Sequence, residues 1–133
     1  MLGLADIRDW MKGFAGAEHY YIGKLDTKYP KSIGVYPRQV SRPPRMALGG
    51  LTETTYDEKS VFILLHWNEN ARETEEAAAA LFDHLRRMGQ TTIAGIRVQY
   101  LRLDSTEAVD VGTDDKGIYE RVIWLTIFYE RKD

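Results

Sequence analysis

A chain of 133 residues with 44% hydrophobic side chains, 18 basic and 20 acidic groups and a net charge of -2 has the size of one domain, because one core organises about 100–150 residues. Its apolar content is too high and its charge too small for intrinsic disorder, and the near-neutral balance is not that of a dedicated DNA-binding domain. The absence of cysteine excludes disulfide scaffolds, thiol catalysis, iron–sulfur clusters and thiolate zinc sites.

Residues 4 to 14 carry Leu4, Ile7, Met11 and Phe14 at helical spacing and predict a short amphipathic helix that Gly13 and Gly16 end. Two extended runs follow, His19 to Leu25 and Ser32 to Tyr36, separated by the turn-like Asp26-Thr27-Lys28-Tyr29-Pro30. Residues 37 to 55 hold Pro37, Pro43, Pro44 and Gly49-Gly50 with no hydrophobic period. A structureless segment of that length is usually functional or mobile, so 39–55 is expected to be a working loop, with 39–54 mobile in the isolated protein and ordered on a partner. Tyr56 to Trp67 reads as a long central strand, with VFILL apolar on both faces. Asn70 and Glu73 form a capping-box pattern ahead of a helix over 71–88. Its stripe is Ala78, Leu81, Phe82, Leu85 and Met88, and Gly89 stops it. Residues 91 to 103 read as a hairpin turning at Ala94-Gly95, 104 to 117 as a second polar loop, and Ile118 to Arg131 as the last strand.

The predicted order is α-β-β-β-α-β-β-β: one α+β domain over 1–133, a mostly antiparallel, mixed sheet with two helices packed on one face. Its expected core sets Phe62, Leu64, Ile123, Leu125 and Ile127 against Leu81, Phe82 and Leu85. No strictly apolar run approaches the roughly 20 residues of a membrane span. Asp6 in MLGLADIRDW falls where a cleaved signal needs an apolar stretch, so a soluble protein made in a cytoplasm is expected.

Reactive patterns are sparse. His19, His66 and His84 have no histidine neighbour at metal-ligand spacing, and His66 is expected to be a satisfied core or rim histidine. Glu73 and Glu76 share a helix face, as acid–base pairs do, but acids at a helix start are expected from the dipole alone. The Asp-rich 110–117 lacks the calcium-loop order, and its twelfth position is Arg121. Neither nucleophile-elbow nor phosphate-loop glycine patterns occur, so no metal, cofactor or catalytic residue is assigned.

Charge is distributed unevenly. Lys28, Lys31, Arg38, Arg42 and Arg45 occur without an acid between Asp26 and Glu53, whereas Asp104, Glu107, Asp110, Asp114 and Asp115 occur without a base. The plain reading is two solvated loops. The sharper one is complementarity between copies, the basic surface of one subunit meeting the acidic surface of the next. The residues assigned to subunit or partner contact are Arg38, Arg42, Arg45, Met46, Leu48, Asp110, Asp114 and Asp115.

The stretches SIGVYPR, GGLTETTYDEKSVFILLHWNENARETEEAAAALFDHLR and EAVDVGTDDKGIYERVIWLTIFYER together resemble the minor capsid or tail terminator proteins of tailed, siphovirus-like bacteriophages and of prophages of Gram-positive bacteria. The resemblance runs from Ile22 to Arg131. It implies a structural, non-enzymatic virion protein, assembled in the host cytoplasm, that caps the tail tube as a hexameric ring and joins it to the head. The partners it implies are further copies of the chain, the tail-tube protein and a head-completion or connector protein. DNA passes as cargo only, and no cofactor or membrane is involved. Two readings from other classes stand beside it: a monomeric ligand-binding or regulatory module, and a small enzyme with a site such as His66 with Glu73.

Overall fold

The computed structural model describes residues 1–38 and 56–131. Two helices and seven strands follow in the order α1 (Leu4–Met11), β1 (His19–Ile22), β2 (Ser32–Pro37), β3 (Tyr56–His66), α2 (Ala71–Arg87), β4 (Thr91–Ile93), β5 (Ile96–Leu103), β6 (Val109–Thr113) and β7 (Tyr119–Glu130). One sheet has the order β1-β2-β3-β7-β5-β4, with β6 also paired to β7. Only β1 and β2 are parallel. The α+β class and the mixed, mostly antiparallel sheet are as the sequence predicts.

The helices take one face. Ile7 and Met11 of α1 and Ala78, Leu81, Phe82 and Leu85 of α2 are buried in one cluster with Ile33, Val35, Val61, Ile63, Leu65, Ile123, Leu125 and Ile127. α1 is shorter than its apolar period suggests: it ends at Met11, and Phe14 follows in a turn whose N–H bonds to the Met11 carbonyl. Phe14 still binds the helices together, edge-on to Trp10 at 4.9 Å and stacked on His84 at 4.4 Å. At the start of α2, Asn70 accepts from the Glu73 N–H at 3.1 Å, as its capping role requires. The reciprocal half of the box is diverted. Asn68 accepts from the Asn70 N–H at 2.9 Å and donates to the Glu73 carboxylate at 2.7 Å.

Two expectations are corrected. Phe62 and Leu64 do not face the helices: side chains alternate along β3, and Val61, Ile63 and Leu65 take that side, at 0%, 0% and 1% exposure. Phe62 and Leu64 lie half-buried on the opposite face. Residues 104–117 are not all loop either. β5 pairs with the second half of β7, Leu103 opposite Leu125, and β6 with the first half, Val109 opposite Val122. The Asp104 N–H bonds to the Trp124 carbonyl at 3.0 Å. β5 and β6 are thus one interrupted partner of β7, parted by a short excursion over 105–108. The expectation that 39–55 is a working loop lies outside the described residues.

Leu81, 3% exposed, sits against the sheet. Leu81→Ala is expected to cost roughly 2–5 kcal/mol in urea denaturation, as cavity-forming core truncations do, and Leu64→Ala on the open face distinctly less. Equal losses at the two positions would contradict the assigned faces.

Candidate functional site

The sheet face turned away from the helices carries the most unusual chemistry of the described residues. Its rows bring Tyr36, Phe62 and Trp124 side by side, and next to them Ser60, Thr126 and Arg102. Tyr36 stacks flat on Phe62, with centroids 4.9 Å apart and planes 4° apart. Its ring covers Gly34 so closely that a Cβ there would stand 2.7 Å from Tyr36 Cε1, and its hydroxyl accepts from the Leu25 N–H at 3.0 Å. Further along the face, Tyr100 stacks on Phe128 at 4.4 Å, with the Arg102 guanidinium 5.4 Å from the Phe128 ring centre.

Between the two aromatic groups lies an ionic cluster. The Asp104 carboxylate accepts from Arg102 Nε at 2.7 Å, from the Thr126 hydroxyl at 2.9 Å and from Arg38 Nη1 in a short contact. Burial alone would raise the Asp104 pKa, but the bonds from Arg102, Thr126 and Arg38 outweigh it and hold the carboxyl below the ordinary aspartate range. The same contact with Asp104 raises Arg102. Glu58, in the Phe128 row of the same face, also acts on Arg102, so the two arginines lie among two acids.

The acidic residues gather at the other end of β7, in the β6–β7 hairpin. Asp114 Oδ1 accepts from the N–H groups of Lys116 and Ile118, both at 2.9 Å, and Gly117 closes the turn with φ +82°, a conformation that side chains resist. Asp114 Oδ2 has no hydrogen-bond partner among the described residues and lies 3.9 Å from His66 Nε2. His66 is fully buried. Its Nδ1 is 2.9 Å from Glu120 Oε2 and its Nε2 3.2 Å from the Thr27 carbonyl, so both ring nitrogens face oxygen partners. Burial works to raise Asp114, yet the two backbone N–H groups and His66 hold it below the ordinary range.

Of the residues assigned to contacts, Arg38 and Asp114 are engaged within their own chain, as just described. Asp110 and Asp115 are exposed. Asp110 Oδ1 accepts from the Gly112 N–H at 2.8 Å, and its other oxygen is 3.8 Å from Arg121. Arg42, Arg45, Met46 and Leu48 lie outside the described residues. Within one chain Arg38 and the acidic turn do not meet: their rows cross β7 near Thr126 and Tyr119, roughly 23 Å apart at about 3.3 Å per residue. The Arg102–Asp104–Thr126 cluster was missed in the sequence, although Arg102 between Leu101 and Leu103, two residues before Asp104, was a signal.

The residues named for an enzymatic site, His66 with Glu73, are already committed to other partners. Both His66 nitrogens are taken and shut from solvent, and Glu73 is held by Asn68. In the cleft of about 290 Å³ between α2 and the 105–108 excursion, Arg121 and Arg86 already pair with Glu75 and Asp83. Among the described residues no group of three or more potential ligands is placed to hold a metal ion, and no helix is long and apolar enough to cross a membrane.

A family model described as bacteriophage tail terminator protein matches residues 1–131, and no curated protein matches the chain. The matched span includes both the ionic cluster and the acidic hairpin. Because Asp104 and Asp114 are both depressed in the folded chain, they stabilise it above the unfolded aspartate value of about 3.9, and that contribution is lost as pH falls through the folded values. Asp104→Asn is therefore expected to lower the melting temperature at pH 7 and to narrow its gap to the parent protein as the pH falls from about 4 to 2. A constant gap across that range would show that the Asp104 charge is not what stabilises the cluster.

Proposed function

Since the chain belongs to the bacteriophage tail terminator family, a structural component of the virion, we propose that it closes the end of a growing tail tube as a ring, most simply a hexamer, and presents the surface to which the head is joined. The observation that supports this most is the open sheet face. Tyr36, Phe62, Trp124 and Tyr100 with Arg38 and Arg102 are the residue types enriched at protein interfaces, and the described helices leave them uncovered. The contacts made there are with the tube protein, a head-completion or connector protein, and further copies of the chain. DNA crosses the ring only as cargo.

The contact assignment is retained in modified form. With Arg38 and Asp114 engaged internally, Arg42, Arg45, Met46 and Leu48 are the part of the basic segment that meets a partner or neighbour, and Asp110 and Asp115 are the exposed acids of the hairpin. The test is to mix the purified protein with tubes of its cognate tail-tube protein, measure its mass in solution and image the tube ends by electron microscopy. Capped ends of six-fold outline are expected. A protein that stays monomeric and leaves the ends bare favours the ligand-binding module instead.

Exposed ion pairs contribute about 0–1 kcal/mol each, so a single reversal at Arg42 or Arg45 should weaken assembly only slightly. The double change Arg42→Glu with Arg45→Glu should weaken it more at low salt, and less near 1 M, where the Debye length is roughly 3 Å. Assembly indifferent to the double change at low salt would remove these arginines from the contact.

A further inference from the structure

Resting on the ring reading above, we propose that neighbouring subunits join edge to edge, the outer side of β6 in one copy pairing with the outer side of β1 in the next. The register across the sheet places these two strands at opposite ends of the same rows. One row runs His19–Ser32–His66–Glu120–Gly112, the next Tyr20–Ile33–Leu65–Arg121–Asp110, and a third Tyr21–Gly34–Leu64–Val122–Val109. At this level the sheet is β1-β2-β3-β7-β6, and among the described residues no strand pairs with the outer side of either end.

Direction supports the same docking. β1 runs with β2, and β2, β3, β7 and β6 then alternate, so β6 runs opposite to β1. A second copy placed alongside with its sheet in the same orientation sets β6 antiparallel to β1, where two strands can exchange paired backbone hydrogen bonds. Such a contact is head-to-tail and uses two different surfaces of each copy, which is what a closed ring needs. Both edge strands are short, and β6 carries a bulge between Asp110 and Gly112, but the strongest blocks to pairing are missing. Lys and Pro are absent from HYYI and from VDVGT, although an open edge of unpaired N–H and C=O groups invites pairing.

Side chains point to a second copy rather than a foreign strand. Among the described residues, exposed large apolar side chains stand at both edges, Ile22 and Tyr29 on the β1 side and Val111 on the β6 side. Tyr29 lies against His19 of β1 at 4.6 Å. Among exposed charges near β1, Lys24 and Lys28 outnumber Glu18, while near β6 Glu107, Asp110 and Asp115 outnumber Lys116. One edge of this chain is apolar and basic, the other apolar and acidic, at the same height on the sheet. Backbone pairing and apolar burial hold the contact, and the charges set its polarity.

The cysteine-free chain allows a direct test. A variant carrying Ile22→Cys and Val111→Cys is assembled alone or on tubes of the cognate tail-tube protein and treated with a short bismaleimide. Covalent multimers up to the full ring are expected. An equal mixture of the two single variants should stop at dimers, and each single variant should stay monomeric on a denaturing gel. Rings seen by electron microscopy that yield no 22–111 cross-link, or a single variant that cross-links to itself, overturn the edge contact and leave the ring reading intact. The absence of rings under all conditions overturns both. As a second measure, Ile22→Lys with Val111→Lys should weaken assembly at least tenfold with an unchanged melting temperature, and unaltered assembly refutes the proposal. So does a variant that forms rings normally but no longer binds tubes, since β6 then serves the tube protein.

Discussion

Strand β7 is the member on which the other elements depend. One of its edges is paired along its length by β3, and the other is shared by β5 and then β6. Nearly all its backbone groups are therefore satisfied by protein, which lets Ile123, Leu125, Ile127, Phe128 and Tyr129 be buried without stranded polar groups. α2 packs on it, Thr126 anchors the Asp104 cluster from it, and Glu120 at its start holds the buried His66. Core, ionic cluster and hairpin are thus three segments of one strand, and the positions of the two charged regions are fixed by the rise along its axis.

The two faces of the sheet divide the work. Both described helices go to the same side, where the residues of the core cluster are mainly aliphatic. The opposite side is built from stacked rings and arginines satisfied by Asp104 and Thr126. That side is ordered without being sealed: flat stacking and a multiply bonded carboxylate fix the side chains in advance, so an incoming surface meets a preset shape and little conformational freedom is lost on contact.

Much of this was legible in the sequence. The stripe of α2, its Asn70 cap and the long last strand are carried by local signals of spacing and residue type. The face of VFILL was not, because a run that is apolar on both sides has lost the alternation that tells inside from outside; the packing of α2 on β7 decides it. β6 was hidden for a different reason. DVGTDD is polar enough to pass for loop, and only pairing with the first half of β7, Tyr119 to Val122, makes it a strand. Charge runs showed where acids and bases collect but not which were already committed, since Arg38 meets Asp104 across 66 residues of sequence. The diverted capping box has the same lesson at short range, where Asn68 outcompetes Asn70 for Glu73.

The interruption between β5 and β6 also bears on how related chains can diverge. Asp104 is fastened to Trp124 and Ala108 is buried, so the departure and return points of the excursion are fixed, while Thr106 and Glu107 between them are exposed. Residues added or removed there change the outline of the subunit beside the acidic edge and leave both halves of the β7 ladder in register, as surface loops tolerate such changes. Lineages can therefore lengthen or shorten this one protrusion to suit a different neighbour while inheriting the same sheet.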